Sequence, residues 1–169
     1  MNNFCLAVLI SGATIATATA AELGPGCAPV MSAMAKTLQV DHATLTQMDG
    51  RTLKGITAGG VNYLQVDNEW KVSPISPRDN LARSDENLHN AKSYVCQRLP
   101  DSTIDGVAVI NYRTRTETED SVVESTIAIS KASGLAIEVT NALGSGGESK
   151  SHYSTHYTYT GIQAPPVKK

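Results

Sequence analysis

Few residues in this 169-residue chain have the type and spacing to do chemistry. His152 and His156 stand four positions apart. On a helix that interval would aim both imidazoles at one metal ion; on a strand the two share a face but lie roughly 13 Å apart, too far for one ion to bridge. The surrounding alternation of Tyr153, Tyr157 and Tyr159 with His152, His156 and Thr158 is that of a strand. Nothing in the spacing of His42 and His89 brings them together, so no metal site is expected. No serine sits in a G-x-S-x-G elbow, and Gly144-Ser145-Gly146 lacks the strand-to-helix context that would expose its hydroxyl. Glu117, Glu119, Asp120 and Glu124 cluster beside a turn and read as a solvated face, not as an acid/base pair. The glycine-rich stretches lack the Lys-Ser/Thr of a phosphate-binding loop. These readings leave no catalytic residue and no cofactor, and a formal net charge of −2 gives no nucleic-acid footprint.

The cysteines carry more information. Phe4 to Ile10 is an apolar run, and Ala18-Thr19-Ala20 before Ala21 follows the small-x-small rule for signal peptidase. Ser11, Thr14, Thr17 and Thr19 interrupt the run, which argues for a cleaved leader over residues 1–20 and against a membrane anchor. Cys27 follows Gly24-Pro25-Gly26, far beyond that run, and does not read as a lipidation site. Export to the periplasm removes Cys5 and leaves Cys27 and Cys96 as an even pair in an oxidising compartment, where they should form a disulfide. About 149 residues remain after cleavage, enough for one domain with one core.

The remaining elements follow from periodicity. Val30, Met31, Met34, Ala35 and Leu38 mark one face of a helix over 28–39, with Pro29 in its first turn. Short β-prone runs follow: Asp49-Gly50 and Asp67-Asn68 turn two hairpins, and Gly59-Gly60 precedes the strand over 61–66. Ser76-Pro77-Arg78-Asp79 carries the signature of a capped helix start, and the thin apolar stripe over 77–91 predicts a helix on the surface. Further strands are expected over 94–99, 104–115, 119–130, 135–143 and 149–160, with 144–147 as a loop. The whole is an α+β domain of about nine strands and two helices, spanning 21–163, with 164–169 as a flexible tail.

Seven aromatic residues fall on predicted strands. Tyr63, Trp70, Tyr94, Tyr112, Tyr157 and Tyr159 are the candidate ligand-binding set, and Tyr153 shares the parity of the last two. Tyrosines on a concave sheet face can line an amphipathic pocket or fill a core beneath the first helix, and both readings stay open.

The stretches "GGVNYLQVDNEWKV", "STIAISKASGLAIEVTN" and "HYSTHYTYTGIQAP", behind a leader and a first helix, resemble the periplasmic lipoprotein-carrier superfamily, the LolA/LolB-like fold. Ile127 to Ala136 match its strand-turn-strand with Gly-Leu, and Tyr157-Thr158-Tyr159 through Pro165 match its final strand and tail. Ala128 stands where a tryptophan is frequent and Ala136 where a proline is usual. The resemblance implies a strongly curved, unclosed antiparallel sheet, a half-barrel, wrapped over helices around an apolar cavity for acyl chains or another lipophilic ligand. The expectation is a non-enzymatic, monomeric exported protein that binds a hydrophobic small molecule or lipid, with no stable membrane insertion. The alternative is an envelope protein that uses the same fold as a docking platform with a filled interior.

Overall fold

A computed structural model describes residues 22–24, 26–145 and 148–167; the predicted leader lies outside them. Two helices and eleven strands appear in the order β1 (Glu22–Leu23), α1 (Ala28–Gln39), β2 (His42–Met48), β3 (Arg51–Ala58), β4 (Val61–Val66), β5 (Glu69–Val72), α2 (Pro77–His89), β6 (Ser93–Arg98), β7 (Ser102–Ile104), β8 (Val107–Glu117), β9 (Val122–Ser130), β10 (Ala136–Ser145) and β11 (Glu148–Thr158). One unclosed sheet has the order β1-β6-β8-β9-β10-β11-β2-β3-β4-β5. β7 pairs with β8 beside the stretch that β6 occupies. All pairs are antiparallel except β1 with β6. The C-terminal strand β11 thus inserts between β10 and β2 and joins the two meanders into one surface.

Local chemistry explains the turns. Asp49-Gly50, Gly59-Gly60 and Asp67-Asn68 all hold positive φ, as two-residue hairpins of this hand require. A fourth such turn corrects the expected continuous strand over 104–115: Asp105 and Gly106 have φ of 47° and 80°, and they split the segment into β7 and β8. β1 and β7 account for the excess over nine strands. Gly144 and Ser145, expected in a loop, belong to β10, while 146–147 lie outside the described residues.

The α1 boundaries match the periodic reading, but its buried stripe is rotated. Val30, Ala33 and Thr37 are buried, whereas Met31, Met34, Ala35 and Leu38 are only partly so. The reason lies across the sheet. A register shift between Ala136 and Glu138 interrupts the β10 ladder, and the Ala136 amide donates instead to the Thr37 hydroxyl at 2.9 Å. The Tyr159 hydroxyl donates to the Ala136 carbonyl and lies 3.4 Å from the same threonine oxygen. Thr37→Val should therefore cost about 1–3 kcal/mol of unfolding free energy by leaving a buried amide without an acceptor, whereas Thr37→Ser should cost much less; urea denaturation of both variants checks this.

The main core lies between α1 and the concave face: Val30, Ala33, Tyr112, Ile127, Ile129, Ala136 and Val139. In a second cluster, flanked by Ile104, Val107 and Tyr159, Val109 and Ala128 have the parity opposite to Tyr112 and Ile127, and Ile137 joins them at the irregularity in β10. Cys27, at the N-cap of α1, is disulfide-bonded to Cys96 on β6, with Cα atoms 5.1 Å apart. At Gly26 a Cβ would sit 3.1 Å from the Cys96 carbonyl oxygen, so the crossing is too tight for a side chain.

Candidate functional site: a cavity between the second helix and the concave face

Three elements bound an open space on the concave side of β6 and β8–β11. α1 crosses β9 and β10 with its buried stripe and turns Met31, Met34 and Ala35 towards the space. α2 packs chiefly against α1, has no fully buried residue, and supplies Leu81, Ser84, Asp85 and Leu88. Its start is fixed by the expected capping box: Ser76 Oγ accepts from the Asp79 amide, and the Asp79 carboxylate accepts from the Ser76 amide at 3.1 Å. The Ser76 hydroxyl also donates to the Asp79 carboxylate at 2.8 Å, and this bond, together with that from the Ser76 amide, holds the Asp79 carboxyl below the ordinary carboxylate range. A second tether reaches the loop before it. The Thr57 hydroxyl donates to Asn62 Oδ1 at 2.7 Å, and Asn62 Nδ2 donates to the Ile75 carbonyl at 2.9 Å.

The cavity is open to solvent at one side and has a volume of about 1710 Å³, above the range usual for drug-sized ligands. Its inner end is apolar, with Met34, Ile127 and Val139 beside α1. Register then places a polar row across the same sheet face. Thr114 pairs with Ser125, Ser125 with Asn141, and Asn141 with Tyr153, and all four line the cavity. The Ser125 hydroxyl donates to Asn141 Oδ1 at 2.6 Å. Burial pushes the Tyr94 and Tyr153 phenols above their ordinary range; for Tyr94 a hydrogen bond from Thr114 opposes the shift. At the mouth stand Asp85, Glu119, Asp120 and Lys92, with His89 nearby. Of the sequence's acidic cluster, Glu119 and Asp120 thus rim the cavity, while Arg115 lies 3.9 Å from Glu117 and 3.3 Å from Glu124.

The structure does not bring the six candidate aromatics together. Tyr94 lines the cavity. Tyr112 is buried in the core under α1. Tyr157 packs on that core, its ring 5.6 Å from His42 and 6.5 Å from Tyr159, and Tyr159 is held by Thr37 and Ala136. Tyr63 pairs with Ile56 and Val72, Trp70 with Gln65, and this parity is opposite to that of the cavity-lining residues. Both therefore lie on the other face of the sheet. Tyr153, though on the tyrosine parity, was outside the candidate set and lines the cavity, as do Thr114, Ser125 and Asn141. Those three are polar residues at inward positions, a signal visible only once strand register is known.

Burial pushes Tyr157 up to about 12, with the phenols of Tyr159 and Tyr153 adding to the effect. A phenol kept neutral in the fold stabilises it fully below the ordinary value of 10.0 and loses that contribution as pH rises towards about 12. Alkaline denaturation monitored by circular dichroism should show this as a fall of as much as about 2 kcal/mol over that window, and the fall should be smaller in Tyr157→Phe, where the raised phenols of Tyr94, Tyr153 and Tyr159 remain.

No helix among the described residues is long and apolar enough to cross a membrane. No protein-family model matches the sequence, and no curated protein does. Among solved structures, the chain is similar to the crystal structure of LprF from Mycobacterium bovis, at a TM-score of 0.49 and 6% identity over 85% of this chain and 98% of that one. It is also similar to the lipoprotein LppX of Mycobacterium tuberculosis, at a TM-score of 0.48 and 8% identity over 83% of this chain and 99% of that one.

Proposed function

We propose that this chain is an exported, non-enzymatic binding or carrier protein that holds a hydrophobic ligand, such as an acyl chain or a lipid, between α2 and the concave face of its sheet. The observation that carries this reading is the cavity of about 1710 Å³ with its apolar inner end at Met31, Met34, Ile127 and Val139. Burying an alkyl chain there releases roughly 0.8 kcal/mol per methylene. The leader read over residues 1–20 and the Cys27–Cys96 disulfide support a periplasmic location. Native mass spectrometry of protein purified from the periplasm, with titration of the neutral dye N-phenyl-1-naphthylamine, is the test. A co-purifying lipid mass or a saturable fluorescence rise is expected; ligand-free protein that leaves the dye unchanged would overturn the reading.

A second reading, an envelope docking platform, is favoured by one feature. Leu53, Leu64 and Val66 are 43–47% exposed on the concave face of β3 and β4, and Val72 is 55% exposed on the other face. Crosslinking in intact envelopes separates the two, because docking predicts a captured protein and no extractable lipid.

A further inference from the structure

We infer that the cavity selects an uncharged amphiphile whose polar end carries hydroxyl and carbonyl oxygens, in preference to one with an ionised acid. This inference rests on the ligand-binding reading above and specifies the class of ligand.

The first argument concerns hydrogen bonding. The row Thr114, Ser125, Asn141 and Tyr153 crosses the middle of the wall, between the apolar inner end and the charged mouth. The Ser125 hydroxyl already satisfies one lone pair of Asn141 Oδ1, which orients the Asn141 amide and leaves its NH₂ group as a donor on the cavity side. Thr114 is buried and its hydroxyl bonds the Tyr94 phenol, so the row's remaining capacity, directed at the contents of the cavity, is that of the Asn141 NH₂ and the Tyr153 phenol. A pure hydrocarbon would strip water from these groups and return nothing, at about 1–3 kcal/mol for each group left unpaired. Ester, hydroxyl or amide oxygens would replace the lost water.

The second argument concerns charge. No member of the row is ionic. At the mouth, Asp85, Glu119 and Asp120 face a single fixed cation, Lys92, among the described lining residues. An ionised carboxylate or phosphate would enter a field of like charge and find neither an arginine fork nor a helix start to receive it. A glyceride-like or other neutral polar group meets neither penalty.

The test uses the full mature protein and compares 1-monolauroylglycerol with laurate at pH 8, below their aggregation concentrations, as displacers of N-phenyl-1-naphthylamine. The two share a chain and differ in the polar end. The neutral lipid is expected to displace at a concentration at least about tenfold lower. Asn141→Leu should raise the displacing concentration of monolauroylglycerol relative to that of laurate about fivefold or more; Ser125→Ala, a milder change that removes the hydroxyl orienting Asn141, should shift the same ratio in the same sense. Laurate binding as tightly as the glyceride, or both variants keeping the parental ratio, would overturn the inference. Protein that binds neither lipid nor dye fails the ligand-binding reading itself.

Discussion

Replacing Cys27 and Cys96 together by serine is expected to lower the free energy of unfolding by about 4 kcal/mol, the chain-entropy value for a crosslink of this span. The two cysteines are 69 positions apart, so the loop they close in the unfolded chain is long. Guanidinium denaturation of the oxidised protein, the reduced protein and the double variant measures the effect. The loss should also be uneven. Cys27 caps α1 and Cys96 lies on β6, while the other ties of this corner are slight: the two-residue strand β1 and the Gly24 amide donating to the Tyr94 carbonyl at 3.1 Å. Hydrogen exchange should therefore accelerate first in α1 and only later in β8–β10, whose ladders are long. Uniform acceleration would mean that the disulfide fixes the whole sheet and not one helix against it.

Ser125→Trp should have the largest effect on binding. Ser125 sits at the centre of the polar row and is only half-buried, with its side chain directed at open space. An indole there projects into the middle of the cavity, across the path from the charged mouth to the apolar inner end, without displacing a core residue, so thermal stability should change little while dye and lipid affinity fall by about tenfold or more, the equivalent of roughly 1.4 kcal/mol. Calorimetric titration together with a melting curve checks both halves. A variant that keeps parental affinity would show that the ligand site lies elsewhere, with the exposed Leu53–Leu64–Val66 surface the next place to look.

Much of the local structure was legible because its causes are local. Ser76 and Asp79 close a capping box from four consecutive residues. Asp49-Gly50 and Asp67-Asn68 reverse the chain through their own tolerance of positive φ. Asp105-Gly106 carries the same signal, but the apolar residues on both sides, Ile104 and Val107, suggested a continuous strand. The Cys27–Cys96 pair followed from counting cysteines once export was inferred. The rotation of α1 was not legible: Thr37 is buried because an irregularity in β10 frees the Ala136 amide 99 positions away. The six candidate aromatics do not share one surface, for a related reason. Parity along one strand says which residues share a face, but not which face of the assembled sheet the helices cover.

The sequence by itself determined the two helices, two hairpins and the α+β character, because caps, turn residues and hydrophobic period act over a few positions; cysteine counting gave the disulfide, and the unclosed curved sheet was implied by the family resemblance alone. Only the tertiary structure decided the site. The order in which β11 slips between β10 and β2, and the register that aligns Thr114, Ser125, Asn141 and Tyr153, are set by pairings between segments far apart in the chain. Each of those residues is unremarkable where it stands in the sequence, and they become one surface because cross-strand neighbours meet at about 5 Å whatever their separation along the chain.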